Sequence, residues 1–179
     1  MIDEILVKKA VKGDPTAFIK LCQRYQGLMY KTAYGILGNE HDAADAIQET
    51  LLKSYRDIHK LRDPQQFKNW LCRILVNRCI DVVRQRQRTT PVEQIWLPDT
   101  VEHNSDIKMD ISQAVAELDE QYRVVIVLRF FQDMTINDIA KVLNCPTGTV
   151  KSRIYRALQK MKAKLNLDNQ VGGDILDLC

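Results

Sequence analysis

Apolar residues recur along most of the chain at spacings of three and four positions, and no segment keeps the strict alternation of a strand. Only 7 Gly and 5 Pro interrupt the 179 residues, so long helical segments can form. The pattern predicts an all-α protein. Residues 1–13 fit an amphipathic helix and lack the apolar stretch of a secretory signal. The longest strongly apolar run, residues 124–128, is far shorter than the roughly 20 residues that cross a bilayer, so we expect a soluble protein.

One stretch in the middle of the chain breaks the helical pattern. Between residues 89 and 110, two prolines and five acidic residues accumulate against the single Lys108. This composition is typical of a flexible linker. We therefore predict two small helical bundles, residues 1–88 and 111–165, joined by an acidic linker, 89–110. The tail, 166–179, loses helical periodicity, and we expect it to be frayed or ordered by a partner.

The carboxy-terminal bundle carries the pattern of a helix-turn-helix. Thr135 and Asp138 have the form of a capping box for a short helix, and residues 144–146 (NCP) would end it. Thr147 is a good N-cap for the next helix. Six of that helix's residues form one narrow apolar stripe: Val150, Ile154, Ala157, Leu158, Met161 and Leu165.

The opposite surface of this second helix is polar and basic. Six basic residues and no acidic one lie between residues 147 and 164: Lys151, Arg153, Arg156, Lys160, Lys162 and Lys164. Together with Ser152, Tyr155 and Gln159 they could contact base edges in the major groove. A solvated helical hairpin, or one that binds acidic proteins, is the alternative.

A second basic stripe is predicted on the long helix that begins at Phe67. Its apolar side comprises Phe67, Trp70, Leu71, Ile74, Leu75 and Val82. Another side groups Asn69, Arg73, Asn77, Arg84 and Arg88, and the segment 73–88 contains five Arg against one Asp. Arg78 falls among the apolar positions, so its stem is expected to pack. Trp70 could anchor the core or offer a stacking surface to an unpaired base.

The helix at about 40–55 is predicted to have an acidic outer face. Asp42, Asp45 and Glu49 share this face, with Gln48 beside them. The residues expected to point to the core are Ala44, Ile47, Leu51 and Tyr55. A partner with basic side chains would fit the face, and an ordinary solvated surface is the alternative. A di-metal site is disfavoured because the chain has no Glu-x-x-His motif.

Composition narrows the functional classes. The net charge of +3 is too small to indicate nucleic acid by itself. Five scattered cysteines favour a reducing cytosol over a disulfide framework, and their spacing and that of the three histidines match no common zinc site. There is neither a nucleophile motif nor a glycine-rich phosphate loop. We expect a cytoplasmic protein without catalytic residues, cofactor, metal or small-molecule substrate.

Three motifs, in order, resemble those of the extracytoplasmic-function sigma factors of the sigma-70 superfamily. They are residues 45–49 (DAIQE), residues 67–77 (FKNWLCRILVN), and residues 138–140 (DIA) followed by 146–157 (PTGTVKSRIYRA). The resemblance covers nearly all of the chain up to Leu165. It implies a subunit that directs bacterial RNA polymerase to the promoters of a stress or envelope-response regulon.

The resemblance also implies roles for individual residues. Asp45, Gln48 and Glu49 would bind the beta-prime clamp helices of the polymerase core, which also includes the beta subunit. The minus-ten promoter element would be bound by Asn77 and the loop containing Arg62, with support from Asn69, Trp70, Arg73 and Arg84. The minus-thirty-five element would be bound by Lys151, Ser152, Arg153, Tyr155 and Arg156. An anti-sigma protein, membrane-bound in many members of this family, is a further expected partner and would hold the chain at the inner face of the membrane.

Two other functional classes compete with this interpretation. A stand-alone transcriptional regulator would use the same helix-turn-helix and dimerise through the amino-terminal bundle, but it would leave half of the motifs without a role. A hydrolytic or metal enzyme is disfavoured by the missing catalytic motifs.

Overall fold

The computed structural model describes residues 2–89, 111 and 113–164, and the side chains of residues 3–86, 111 and 113–164. The chain divides into two compact units, Met1–Pro91 and Val92–Cys179. Regular structure in the described parts is helical throughout, which confirms the predicted all-α class. The predicted linker from residue 90 onwards, the tail 166–179 and the Arg88 side chain lie outside this description.

Four α-helices build the first unit: α1 (Ile2–Val11), α2 (Pro15–Leu37), α3 (Glu40–Asp57) and α4 (Phe67–Thr89). Polar caps separate them. The Asp14 carboxylate accepts the backbone N–H groups of Thr16 and Ala17 and so begins α2. Gly38, at φ 74°, ends α2 in the left-handed conformation that glycine adopts without strain. The Asn39 side chain then accepts the N–H of Asp42 and begins α3.

The core of the first unit lies where α2, α3 and α4 pack against one another, with α1 against α2. Leu21, Met29 and Ile36 supply large buried side chains from α2, and Leu71 and Leu75 supply them from α4. Between α3 and α4, two short 3-10 turns, Ile58–Lys60 and Pro64–Gln66, occupy the segment predicted as a loop. This packing fixes which face of each helix remains exposed.

The predicted core face of α3 is wrong. The buried residues are Ala43, Ala46, Thr50 and Ser54, whereas Ala44 is exposed, Tyr55 is 54% exposed, and Ile47 and Leu51 are only partly covered. The true core face is rotated by one residue, or about 100°. Small side chains line it because α3 lies between α2 and α4. The Thr50 hydroxyl donates to the Ala46 carbonyl at 2.7 Å, which satisfies the buried oxygen within the helix.

The second unit contains α5 (Glu120–Ile126), α6 (Ile136–Leu143) and α7 (Thr147–Lys164), preceded by a helical turn at 113–116. A π-helical turn, Val127–Phe131, continues α5. Both α5 and α6 pack against α7. Buried aliphatic side chains fill this core, and they include Val125, Leu128, Ile139, Val150 and Ile154. The predicted apolar stripe of the last helix is confirmed for Val150, Ile154 and Ala157, which are its most buried residues.

The turn between α6 and α7 agrees with the predicted helix-turn-helix. The Thr135 hydroxyl accepts the N–H of Asp138 at 3.1 Å and donates to its carboxylate at 2.7 Å, as expected of a cap. Asn144 ends α6 at φ 50° and ψ 50°, the left-handed conformation that asparagine tolerates. The predicted N-cap of α7, Thr147, is wrong by one residue. The Pro146 carbonyl accepts the N–H of Val150 at 3.2 Å. Pro146 therefore occupies the cap position, and Thr147 is the first helical residue.

No helix in the described parts of the chain combines the length and the hydropathy needed to span a membrane. Across those same residues, no three His, Cys, Asp or Glu side chains come together in a group that could hold a metal ion.

Candidate nucleic-acid and protein interfaces

The polar stripe of α4 is exposed as predicted at its centre. Arg73 and Asn77 lie one turn apart, both are exposed, and neither has a partner among the described residues. Arg84, two turns further on, is also exposed. Asn69 is half-buried, and its amide donates to the Gln66 side chain at 3.3 Å, which ties the first turn of α4 to the preceding 3-10 turn. The stripe therefore presents donors from guanidinium and amide groups along one side of a rigid helix.

Trp70 lies partly in the core and partly at the surface. Its ring is tilted against Phe67, which is buried, with the ring centroids 5.9 Å apart. The remainder of Trp70 is accessible, since the residue is only half-buried. Arg62 is exposed in the segment between the two 3-10 turns. An aromatic edge and a guanidinium group near the start of the polar stripe are suitable for stacking with bases and for phosphate contacts.

Two other arginines of α4 are directed at α3. The Arg78 guanidinium donates to Glu49 at 2.6 Å. Arg86 forms an ion pair with Asp42 and also donates to the Leu37 carbonyl at 3.1 Å. Partial burial lowers the pKa of Arg86 from its usual value. These arginines brace the helices, so the local excess of positive charge counted from sequence is only partly available to an anionic ligand.

The acidic face of α3 divides into an outer part and a flank. Asp45 and Gln48 are exposed, and the only described partner of Asp45 is His41, at 3.7 Å on the same helix. Glu49 and Asp42 lie on the flank towards α4, where the arginines hold them. All three predicted docking residues, Asp45, Gln48 and Glu49, remain accessible, with the Glu49 side chain 52% exposed.

Leu52 is a surface residue that the sequence prediction missed. It is 64% exposed and follows Gln48 by one helical turn on the outer part of α3. A large apolar side chain at the edge of a carboxylate cluster can anchor a protein partner. The four-residue spacing from Gln48 indicated that Leu52 shares the outer part of α3. The prediction missed this because it placed the core face of α3 one residue away from its true position.

In the second unit, the predicted DNA-facing residues occupy the first half of α7. Lys151, Ser152 and Arg156 are exposed, Tyr155 is 48% exposed, and Arg153 is half-buried. The exposed Ser152 hydroxyl donates to the Thr149 carbonyl at 3.0 Å. No described acidic residue pairs with Lys151, Arg153 or Arg156. The first turns of a recognition helix are those that reach base edges.

The last half of α7 uses its basic residues differently. Lys160 pairs with Asp119 at 2.6 Å and lies 5.0 Å from the centre of the Tyr122 ring, and the hydrogen bond to Asp119 raises its pKa. Lys164 forms an ion pair with Glu117, and hydrogen bonds from Lys164 and Gln113 lower the pKa of that carboxyl. Two of the six basic residues thus fasten α7 to the preceding segment.

Two family models match the chain. The Sigma-70 region 2 model matches residues 21–89, which contain α3 and α4. The Sigma-70 region 4 model matches residues 108–161, which contain the helix-turn-helix. Each match thus covers the basic helix of its own unit, α4 in the first and α7 up to Met161 in the second.

Individual relatives extend over nearly the whole chain. It is 31% identical to the ECF RNA polymerase sigma factor SigW of Bacillus subtilis, over 90% of this chain and 98% of that relative. It is 29% identical to the ECF RNA polymerase sigma-E factor of Haemophilus influenzae, over 92% and 96%. Among solved structures, CnrH in complex with the cytosolic domain of CnrY matches with a TM-score of 0.72 and 27% identity, over 93% and 99%. The chain therefore belongs to the extracytoplasmic-function sigma factors of bacterial RNA polymerase.

Proposed function

We propose that this sigma factor docks onto the polymerase core through the outer part of α3 and binds two promoter elements with α4 and α7. The observation that carries the proposal is the separation of charge within the first unit, where α3 exposes Asp45, Gln48 and Glu49 while α4 exposes Arg73 and Asn77. A carboxylate-bearing face fits basic side chains of the beta-prime clamp helices. An arginine-bearing face fits DNA. One small bundle can thus contact the polymerase and the promoter on different helices.

The assignment of α4 to the minus-ten element rests on the mixture of groups around its polar stripe. Asn69, Asn77 and the half-exposed Trp70 can hydrogen-bond to and stack on bases that have left the duplex. Arg62, Arg73 and Arg84 can contact the sugar-phosphate backbone. Such contacts offset an unstacking cost of a few kcal/mol per base step, so binding energy favours the open promoter.

The assignment of α7 to the minus-thirty-five element rests on the open first half of that helix. Lys151, Arg153 and Arg156 offer positive charge without described acidic partners, and Ser152 and Tyr155 add shorter-range hydrogen bonds. Arginine can bind guanine through two hydrogen bonds in the major groove. This unit would select the upstream element, while the polymerase itself performs RNA synthesis.

The proposed partners are the polymerase core, including its beta subunit, promoter DNA and an anti-sigma protein. CnrH, which resembles 93% of this chain, was solved with the cytosolic domain of CnrY. By analogy, we propose a partner with a cytosolic domain and a membrane anchor that holds this chain inactive at the inner face of the membrane. Release would then permit transcription of a stress or envelope-response regulon.

Run-off transcription with purified core polymerase tests the proposal. The intact protein is expected to start transcription at a promoter of its own regulon. Glu49→Lys should reduce core affinity by more than about 30-fold, because it places a cation against the clamp helices. Arg156→Ala should keep core binding and weaken use of the upstream element by about 5- to 100-fold. Parental behaviour of both variants would contradict the residue assignments, and failure of the intact protein to bind core would contradict the proposed docking.

A further inference from the structure

The ion pair between Glu49 and Arg78 joins the proposed polymerase-docking face of α3 to the DNA-facing helix α4. The Arg78 Nη2 atom lies 2.6 Å from Oε1 of Glu49, and the two side chains are 33% and 52% exposed. Oε2 of Glu49 has no partner among the described residues. One oxygen of the carboxylate is therefore held from within the protein while the other remains available to a ligand.

The stem of Arg78 is itself fixed by packing. Its Nε atom is buried and has no hydrogen-bond partner in the described residues. Its neighbour one residue further along α4, Cys79, is completely buried. The stem emerges from the packed side of α4, and the guanidinium at its end meets the Glu49 carboxylate. A fixed donor fixes the direction of its acceptor.

A second ion pair on the same seam provides the contrast. Arg86 holds Asp42 one turn of α3 before Asp45, and it also donates to the Leu37 carbonyl at the end of α2. Asp42 is not among the residues proposed to bind the polymerase. Its backbone N–H donates to the Asn39 side chain, and its carboxylate accepts from the same side chain, so Asp42 takes part in the cap of α3. Arg86 therefore braces the fold, whereas Arg78 holds a carboxylate that faces a partner.

We infer that Arg78 is a positioning residue for polymerase docking, which holds the Glu49 carboxylate in the orientation in which its second oxygen meets a basic side chain of the core. This inference rests on the proposed function of Glu49. Fixing a flexible glutamate before binding removes the entropy cost of ordering it in the complex. Arg78 also opposes docking through its own positive charge, but that repulsion is weak because the pair is half-exposed and screened by salt. Orientation is therefore the larger effect.

The experiment measures the affinity of the labelled full-length protein for purified core polymerase by fluorescence anisotropy at physiological salt. Arg78→Met keeps the packed stem and removes the donor, and it should weaken binding by about 2- to 10-fold. Arg78→Lys keeps the charge without the planar donor group and should recover part of the loss. Arg86→Met is the matched control, since it breaks an arginine–carboxylate pair between the same two helices, and it should bind core like the parent. Thermal melts establish that each variant is folded.

A double-mutant cycle with Glu49→Gln separates positioning from general damage. If Arg78 acts through Glu49, the double variant should bind core as Glu49→Gln alone does. Additive losses, or parental or tighter binding by Arg78→Met, would overturn the inference while leaving the docking role of Glu49 intact. Parental binding by Glu49→Gln would instead overturn the docking role of Glu49 and the inference together.

Discussion

The two basic helices, α4 and α7, separate their paired basic residues from their unpaired ones in different ways. On α4 the division runs around the circumference, where Arg73 faces outward and Arg78 and Arg86 turn to the carboxylates of α3. On α7 it runs along the axis, where the first turns are open and Lys160 and Lys164 near the end are paired. The difference lies in where the described neighbours carry carboxylates: α3 lines one side of α4 with Asp42 and Glu49, whereas Asp119 and Glu117 meet α7 only in its last turns.

The largest expected effect is on the open end of α7. Replacing both Lys151 and Arg156 with Glu should lower affinity for duplex DNA carrying the upstream element by about 100-fold or more, because two direct contacts become repulsive. Gel-shift titration with the polymerase holoenzyme would measure it. The matched control carries Lys160→Glu and Lys164→Glu, which make the same change of net charge on the same helix. If both double variants lose affinity equally, the division along α7 does not hold.

A smaller effect is expected on the open side of α4. Arg73→Ala should weaken holoenzyme binding to a single-stranded oligonucleotide with the minus-ten sequence by about 5-fold or more, the loss of one arginine contact. Fluorescence anisotropy over a salt series would also show a shallower salt dependence, since fewer counterions are released. The counterpart, Arg86→Ala, should leave both the affinity and the salt slope unchanged. A loss in Arg86→Ala equal to that in Arg73→Ala would count against the division around α4.

For the stability of the first unit, we expect Arg86→Ala to have a larger effect than Arg73→Ala. Arg86→Ala removes the hydrogen bond to the Leu37 carbonyl and the ion pair with Asp42, and should lower the free energy of unfolding of the first unit by about 1–2 kcal/mol. Arg73→Ala should leave it unchanged because Arg73 is exposed and has no hydrogen-bond or ion-pair partner among the described residues. Urea denaturation followed by circular dichroism would measure both. Equal stability of the two variants would mean that Arg86 does not brace the helices.

The smallest expected effect is a difference in alkylation rate between the thiols on the packed side of α4 and the thiol in the turn before α7. Burial raises the pKa of Cys72 to about 11 and that of Cys79 to about 12, so both thiols stay protonated at neutral pH. Since the thiolate is the nucleophile, native protein should alkylate at Cys145, which is only half-buried, well before either of them. Peptide mass spectrometry after iodoacetamide would rank the sites. Rapid native labelling of Cys72 would show that α4 is less firmly packed than described.

The sequence predicted local features of this molecule well. The cap at Thr135, the end of α6 at Asn144 and the apolar stripe of α7 depend on neighbours within a few residues, so their pattern is visible in the chain itself. The outward position of Arg73 and Asn77 followed from helical spacing alone once Leu71 and Leu75 were recognised as core residues. These predictions needed no knowledge of tertiary packing.

The features that the sequence did not reveal depend on contacts across long separations. The core face of α3 was misplaced because Ile47 and Tyr55 are more hydrophobic than the small residues that its two neighbours cover. The partners of Lys160 and Lys164 lie 41 and 47 residues earlier, so a count along α7 could not include them. The pairing of Arg78 with Glu49, 29 residues away, was hidden for the same reason.

The short side chains on the inner face of α3, Ala43, Ala46, Thr50 and Ser54, carry a constraint that their chemistry does not suggest. They let the backbone of α3 approach its neighbours, and the reach of Arg78 and Arg86 is matched to that spacing. Replacing Ala46 with leucine would force the helices apart. It would then loosen two charged contacts without altering a single charged residue. A sequence of this fold can therefore retain both charged contacts only if the side chains at positions 43, 46, 50 and 54 stay small.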